Sequence, residues 1–166
     1  MTAVLAGALA STPAVQAAED PDCAAGVRFT SDHGEAATGL RVLSVEVTNC
    51  GAEPLQLNGY PQVSLFDRDY LPLDVEVVDG ARGVSIMPGF SDPPQPITVL
   101  PGETAATEFV WHNWKTTLDP SQVADHVELA TSPGATRQPL VALPPLGNIH
   151  LDFGTTGKLG VRAWYR

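Results

Sequence analysis

Leu40-Arg41-Val42-Leu43-Ser44-Val45-Glu46-Val47-Thr48-Asn49 is the most regular stretch of the chain. Leu43, Val45 and Val47 fall on one side of an extended backbone, and Ser44, Glu46 and Thr48 on the other. A period of two marks a strand with one face in a core and one in water. Asn49-Cys50-Gly51 stops it with turn-forming residues. The rhythm spreads outward from there. Gly26 to Thr30 reads as a short strand before it, and Pro54 to Asn58 and Gln62 to Phe66 as strands after it. Leu71, Leu73, Val75 and Val77 then alternate with Pro72, Asp74, Glu76 and Val78. The turn Asp67-Arg68-Asp69-Tyr70 makes these last two runs a hairpin.

Farther along, Ile97 to Leu100 and Thr104 to Trp111 are strands joined by Pro101-Gly102, a type II turn in which glycine takes the positive φ. Ala105, Thr107, Phe109 and Trp111 share one face of the second strand. Asp119-Pro120-Ser121-Gln122-Val123-Ala124 carries a helix N-cap and a first-turn proline, and predicts at most one short helical turn over 119–124. Val127 and Leu129, Leu140 and Ala142, Ile149 to Phe153, and Leu159 to Tyr165 supply the remaining strands. Fifteen glycines and fifteen prolines leave little room for long helices. About nine short, turn-bounded strands predict an all-β sandwich in one domain over 18–166, with a closed barrel as the second choice.

Met1 to Ala17 carries no charged side chain. Val4 to Ala10 is a short apolar run, and Val15-Gln16-Ala17 places small residues at the −3 and −1 positions of a cleavage site. This reads as a secretory signal peptide over 1–17 and predicts a secreted protein in the extracellular or cell-wall space. No apolar stretch approaches the roughly 20 residues of a membrane span, so membrane insertion is not expected. In an oxidising compartment Cys23 and Cys50 read as one disulfide closing a loop of about 28 residues, worth ~3.5 kcal/mol in the chain-entropy account. Free thiols or a metal pair are the rival readings, and His33 alone does not complete a metal site. A formal charge of −10 repels phosphate backbones and anionic headgroups, which argues against nucleic acid as a partner.

Asn49 and Cys50, Leu57-Asn58-Gly59-Tyr60-Pro61, and Leu100-Pro101-Gly102-Glu103 followed by Phe109-Val110-Trp111 together resemble the pattern of an actinobacterial family of exported domains of unknown function. That family includes secreted proteins and lipoproteins. The resemblance covers most of Cys23 to Arg166 and implies an immunoglobulin-like antiparallel sandwich with no established activity. The chain departs from the pattern in two ways. It has no lipobox before Cys23, and no further cysteines in its second half.

Catalytic motifs are missing from the sequence: there is no Gly-x-Ser-x-Gly elbow, no Ser-x-x-Lys set and no His-Glu-x-x-His helix. A triad assembled from distant residues would leave no such trace. His150 and Asp152 would share a strand face, with His112 as a third metal ligand, but polar residues there also suit a solvated outer face. Asp67-Arg68-Asp69 lacks the glycine and distal glutamate of an EF-hand loop and reads as a turn. No cofactor or metal is expected.

Two stretches are candidate contact surfaces. On the last strand Leu159, Val161, Ala163 and Tyr165 would face inward, leaving Arg162, Trp164 and Arg166 as an outward cation–aromatic ladder. Edge protection against aggregation is the plainer reading of those charges. Gly80 to Pro96 is the longest irregular stretch, with a Pro93-Pro94-Gln95-Pro96 end preset near polyproline II and apolar Val84, Ile86, Met87 and Phe90. It is expected to be the most exposed and mobile segment, although Ile86 and Phe90 tucking onto the sandwich is an equal alternative. As a free docking loop, its 83–91 portion could be exchanged for a Gly/Ser linker at a cost within about 1 kcal/mol. The function expected is an exported, non-catalytic module binding an unknown protein or cell-wall component. A secreted hydrolase or metal-dependent enzyme and a structural envelope protein are the alternatives.

Overall fold

A computed structural model describes Cys23 and residues 25–166. The signal-peptide expectation over 1–17 lies outside the described residues. Thirteen strands follow in order: β1 (Val27–Ser31), β2 (Gly34–Ala37), β3 (Leu40–Asn49), β4 (Leu55–Leu57), β5 (Gln62–Phe66), β6 (Glu76–Asp79), β7 (Ile97–Val99), β8 (Thr104–His112), β9 (Val123–Ala124), β10 (His126–Ala130), β11 (Gln138–Ala142), β12 (Leu151–Asp152) and β13 (Lys158–Val161). The fold is all-β and sandwich-like, as the strand rhythm predicts. No α-helix occurs among the described residues. The helical turn expected over 119–124 gives way to extended chain: Gln122 N donates to Gly154 O, and Val123 and Ala124 pair with Asp152 and Leu151. Tertiary pairing there overrides the local capping signal.

Nine strands form one sheet in the order β5-β10-β11-β1-β3-β8-β13-β6, with β2 added beside β3. Two small ribbons, β4-β7 and β9-β12, complete the fold. The large sheet curls until its end strands β5 and β6 face each other across a groove, which places the architecture between the sandwich and the barrel. Two pairings are parallel rather than antiparallel, β1 with β11 and β6 with β13.

β3 and β8 form the spine, paired from Leu40↔His112 to Thr48↔Thr104. Their inward residues Leu43, Val45, Val47, Ala105, Thr107, Phe109 and Trp111 are all buried, as the alternation requires. β2 was hidden from sequence reading because Gly34, Glu35, Ala36 and Ala37 are all exposed and show no pattern. Its hairpin with β3 turns through Thr38 and Gly39, both at positive φ, the geometry of a two-residue type I′ turn.

Asn49 is buried at the end of β3 and is fully used. Its amide donates to Val99 O and Glu53 O, both at 2.8 Å, and its Oδ1 accepts from Gly51 N at 3.0 Å. The turn 100–103 docks on the same residue: Gly102 N donates to Asn49 O and Asn49 N to Glu103 O. Cys23 and Cys50 are disulfide-bonded with Cα atoms 6.0 Å apart. Beside them Cys50 N and Gly51 N both donate to Gly26 O, so the start of the described chain is clamped to the end of β3.

The 80–96 stretch is not a free loop. Phe90 is only 2% exposed and packs with Ala81 against Val110, on the face of β8 opposite the main core. Val84 and Met87 lean on the same cluster together with Leu40 and Val42, whereas Ile86 is 100% exposed. The stretch therefore gives the spine a cover on its second face. Phe90 belongs to that core and offers no contact surface.

Candidate functional site

Arg162, Ala163, Trp164, Tyr165 and Arg166 do not continue the alternation of β13. Val161 pairs with Phe109, and Tyr165 bridges to Ala106. Thr107 and Glu108 lie between the two partners on β8, but Arg162, Ala163 and Trp164 lie between them on the segment that follows β13. One residue too many on one side is a β-bulge, and it exchanges the faces of everything after it. Trp164 is consequently buried at 2% exposure, stacked on Phe29 with ring centroids 6.2 Å apart, and its Nε1 donates to Thr131 O at 3.0 Å. The outward position expected for Trp164 is corrected by this register shift. Tyr165, expected inside, takes the half-buried outer place.

The two candidate stretches lie side by side, because Gly80 at the start of one pairs with Val161 at the end of β13. An open groove of about 350 Å³ runs between Asp92, Pro93, Pro94 and Gln95 on one side and 162–166 on the other. Arg162 Nη1 is held by Glu108 at 2.6 Å, and its guanidinium lies 3.8 Å from the centre of the Tyr165 ring. Burial pushes the Tyr165 phenol above its ordinary 10.0, and the Glu108 carboxylate pushes it the same way. Arg166 pairs with Glu103. That glutamate also accepts from Leu100 N at 2.9 Å, and this bond first, then Arg166, holds its carboxyl below the ordinary 4.5. Both arginines reach the groove already fixed by carboxylates. Of the expected contact residues, Arg162 and Arg166 stand at the groove with Trp164 as part of its wall, while Val84 and Ile86 lie elsewhere.

The histidines are scattered. His112 donates from Nε2 to Val84 O at 3.1 Å and stacks on Trp114 at 3.8 Å. His150 Nδ1 contacts Asp125 Oδ1 at 2.9 Å in an open depression that Ser121 and Gln122 also line. Asp152 points elsewhere, accepting from Gly154 N at 2.8 Å, and its carbonyl takes the Trp111 indole proton at 2.9 Å. His150, Asp152 and His112 are therefore not gathered as ligands. Among the described residues no three His, Cys, Asp or Glu side chains converge as a metal-binding group. Asp67 closes its own turn by accepting from Asp69 N and Leu71 N, both at 2.9 Å.

Sequence reading missed Glu108, Glu103 and Asp125, the carboxylates that orient Arg162, Arg166 and His150. Each acts across the sheet or between loops, where no fixed spacing could signal it.

Fold and surface define a disulfide-clamped, all-β module with an open groove at a β-bulge. The chain belongs to the family described as Domain of unknown function (DUF4232), matched over residues 23–165. No curated protein and no solved structure matches it.

Proposed function

We propose that this chain is an exported, non-catalytic binding module that holds a cell-envelope component or a protein partner in the groove between Pro93-Pro94-Gln95 and 162–166. One observation carries the reading: the groove combines a proline wall of fixed φ with an aromatic ring and two arginines already held in place. Preset groups lose little conformational freedom on binding, and Tyr and Arg dominate contact energies. Export is supported by the Cys23–Cys50 disulfide, which persists in oxidising compartments, and by the apolar run and small-residue step within 1–17.

The hydrolytic alternative draws on His150, which Asp125 orients as a general base requires. Ser121 lines the same depression, but no hydrogen bond joins it to His150 among the described residues. Binding therefore stands ahead of hydrolysis. The test is sedimentation of the full chain with isolated cell-wall polymer and with intact envelope fractions, set against Arg166→Glu and Tyr165→Ser. Wild-type binding that these variants lose supports the reading. Equal binding by all three overturns the groove. Ester or peptide turnover that His150→Ala abolishes makes the chain an enzyme.

A further inference from the structure

We propose that the seam between β5 and β6 accepts an extended, basic peptide segment of a partner protein as an added strand. The seam lies apart from the proline-walled groove, and the inference does not rest on the function proposed above. β5 and β6 are the two ends of the nine-stranded sheet, and both line one groove of about 200 Å³. At one end the seam is stitched shut. Leu73 N donates to Leu65 O at 3.0 Å and Asp67 N to Leu71 O at 2.9 Å. Past Leu73 the chain leaves β5 and crosses to β13, and the two edges part.

The main chain at the open part is oriented for pairing. Glu76 N donates to Gly157 O at 2.9 Å and Gly80 N to Val161 O at 2.7 Å, so residues of that parity face β13. Successive strand residues aim their N–H and C=O groups at opposite edges. Val75, Val77 and Asp79 therefore present theirs away from β13, and no strand pairs with that edge among the described residues. On β5, Val63 shares the parity of Leu65 and presents its main chain to the seam. Val63, Leu65, Leu73, Val75 and Val77 bring apolar side chains to a groove of mixed polarity that Ser64 also lines, and Val77 is exposed. An unpaired edge beside a groove that offers apolar side chains suits β-augmentation, in which main-chain bonds give affinity and alternate side chains drop into the groove.

Charge selects the occupant. Asp74, Glu76 and Asp79 flank the open part of the seam, with no Lys or Arg between Leu73 and Gly80, whereas Asp67, Arg68 and Asp69 sit at the stitched end and line the depression beside His150. Lys158 offsets Glu76 at 2.9 Å. Asp79 is close enough to Tyr60 to help raise its phenol pKa, after burial, which places a carboxylate near the Gly59-Tyr60-Pro61 turn that leads into β5. A second copy would bring Asp74, Glu76 and Asp79 against the same three residues, so like charge disfavours self-pairing at this edge. A strand carrying Lys or Arg on its outward side chains and apolar residues on its inward ones fits both demands.

The test titrates the full chain with a labelled short peptide alternating lysine and valine, following anisotropy and the amide exchange of Val63, Val75 and Val77. Saturable, salt-sensitive binding with protection of those amides is expected. The same peptide N-methylated at alternate residues should bind about tenfold more weakly, having lost its strand hydrogen bonds. Val77→Pro removes an outward N–H, which an edge strand tolerates, and should weaken binding similarly at unchanged thermal midpoint. If that variant unfolds, the N-methylated probe on the wild-type chain still decides. No binding of the basic peptide, equal binding of the N-methylated one, or equal binding of a glutamate–valine peptide overturns the proposal. So does protection that appears with rising protein concentration alone, since the occupant would then be a second copy.

Discussion

Asn49 and Val99, on strands 50 residues apart, are joined by a 2.8 Å hydrogen bond from side-chain amide to main-chain carbonyl. With Gly102 and Glu103 bound to the main chain of Asn49, two short sequence motifs become one structural knot.

Replacing Asn49 with Ala leaves the buried carbonyl of Val99 without this donor. A buried unpaired group costs about 1–3 kcal/mol, and Asn49→Ala is expected to destabilise by about 2–3 kcal/mol. Urea denaturation with an unchanged slope measures it. A loss under about 0.5 kcal/mol, the range of ordinary surface changes, would sink the knot as a stabilising feature.

Phe90 and Ile86 separate the covering role of the 80–96 stretch from its exposure. Phe90→Ala is expected to cost about 3–5 kcal/mol as a core truncation, and Ile86→Ser to stay within about 0.5 kcal/mol. Exchange of 83–91 for a Gly/Ser linker should now fail in step with Phe90→Ala. Thermal midpoints of the three variants check this, and a linker variant as stable as wild type would refute the covering role.

The bulge predicts opposite outcomes for neighbouring aromatics. Trp164→Ala should cost about 3–5 kcal/mol and Tyr165→Ala clearly less, because only the first is fully buried. Were the alternation unbroken, the order would reverse. Chemical denaturation of the two variants side by side discriminates.

Glu103 gives a pH test with a defined sign. Its folded pKa lies below the ordinary 4.5, so between the two values the unfolded chain binds more protons than the folded one. The stabilisation is present above the unfolded value and is lost as pH falls through the folded one. Glu103→Gln should therefore lower the thermal midpoint at neutral pH, by an amount that shrinks below about pH 4. A gap that stays constant across that window would refute the linkage.

Much of the fold was legible because one face of each long strand is committed to the core. β3 and β8 could be read residue by residue for that reason. Legibility ended where tertiary pairing replaced local signals. Val123 and Ala124 are held by β12 against a capping sequence that favours helix, and β2 has no buried residue to give it a period. Trp164 breaks the alternation because a bulge inserts one residue within 162–164, and Gly160 in β13 was the local signal of it. The groove joins two stretches that each looked distinctive alone, but their adjacency depends on the long-range parallel pairing of β6 with β13, which carries no local signal.

The two parallel pairings also set a tempo. Phe29 lies opposite Leu140, on the order of a hundred residues away, so a large loop must close before that contact forms. Topologies dominated by such distant partners fold in milliseconds to seconds, rather than in the microseconds of local contacts. Until residues 138–142 are in place, β1 has only its near partner β3. A chain lacking those residues would present the outer edge of β1 unpaired, the kind of edge through which unfinished chains associate.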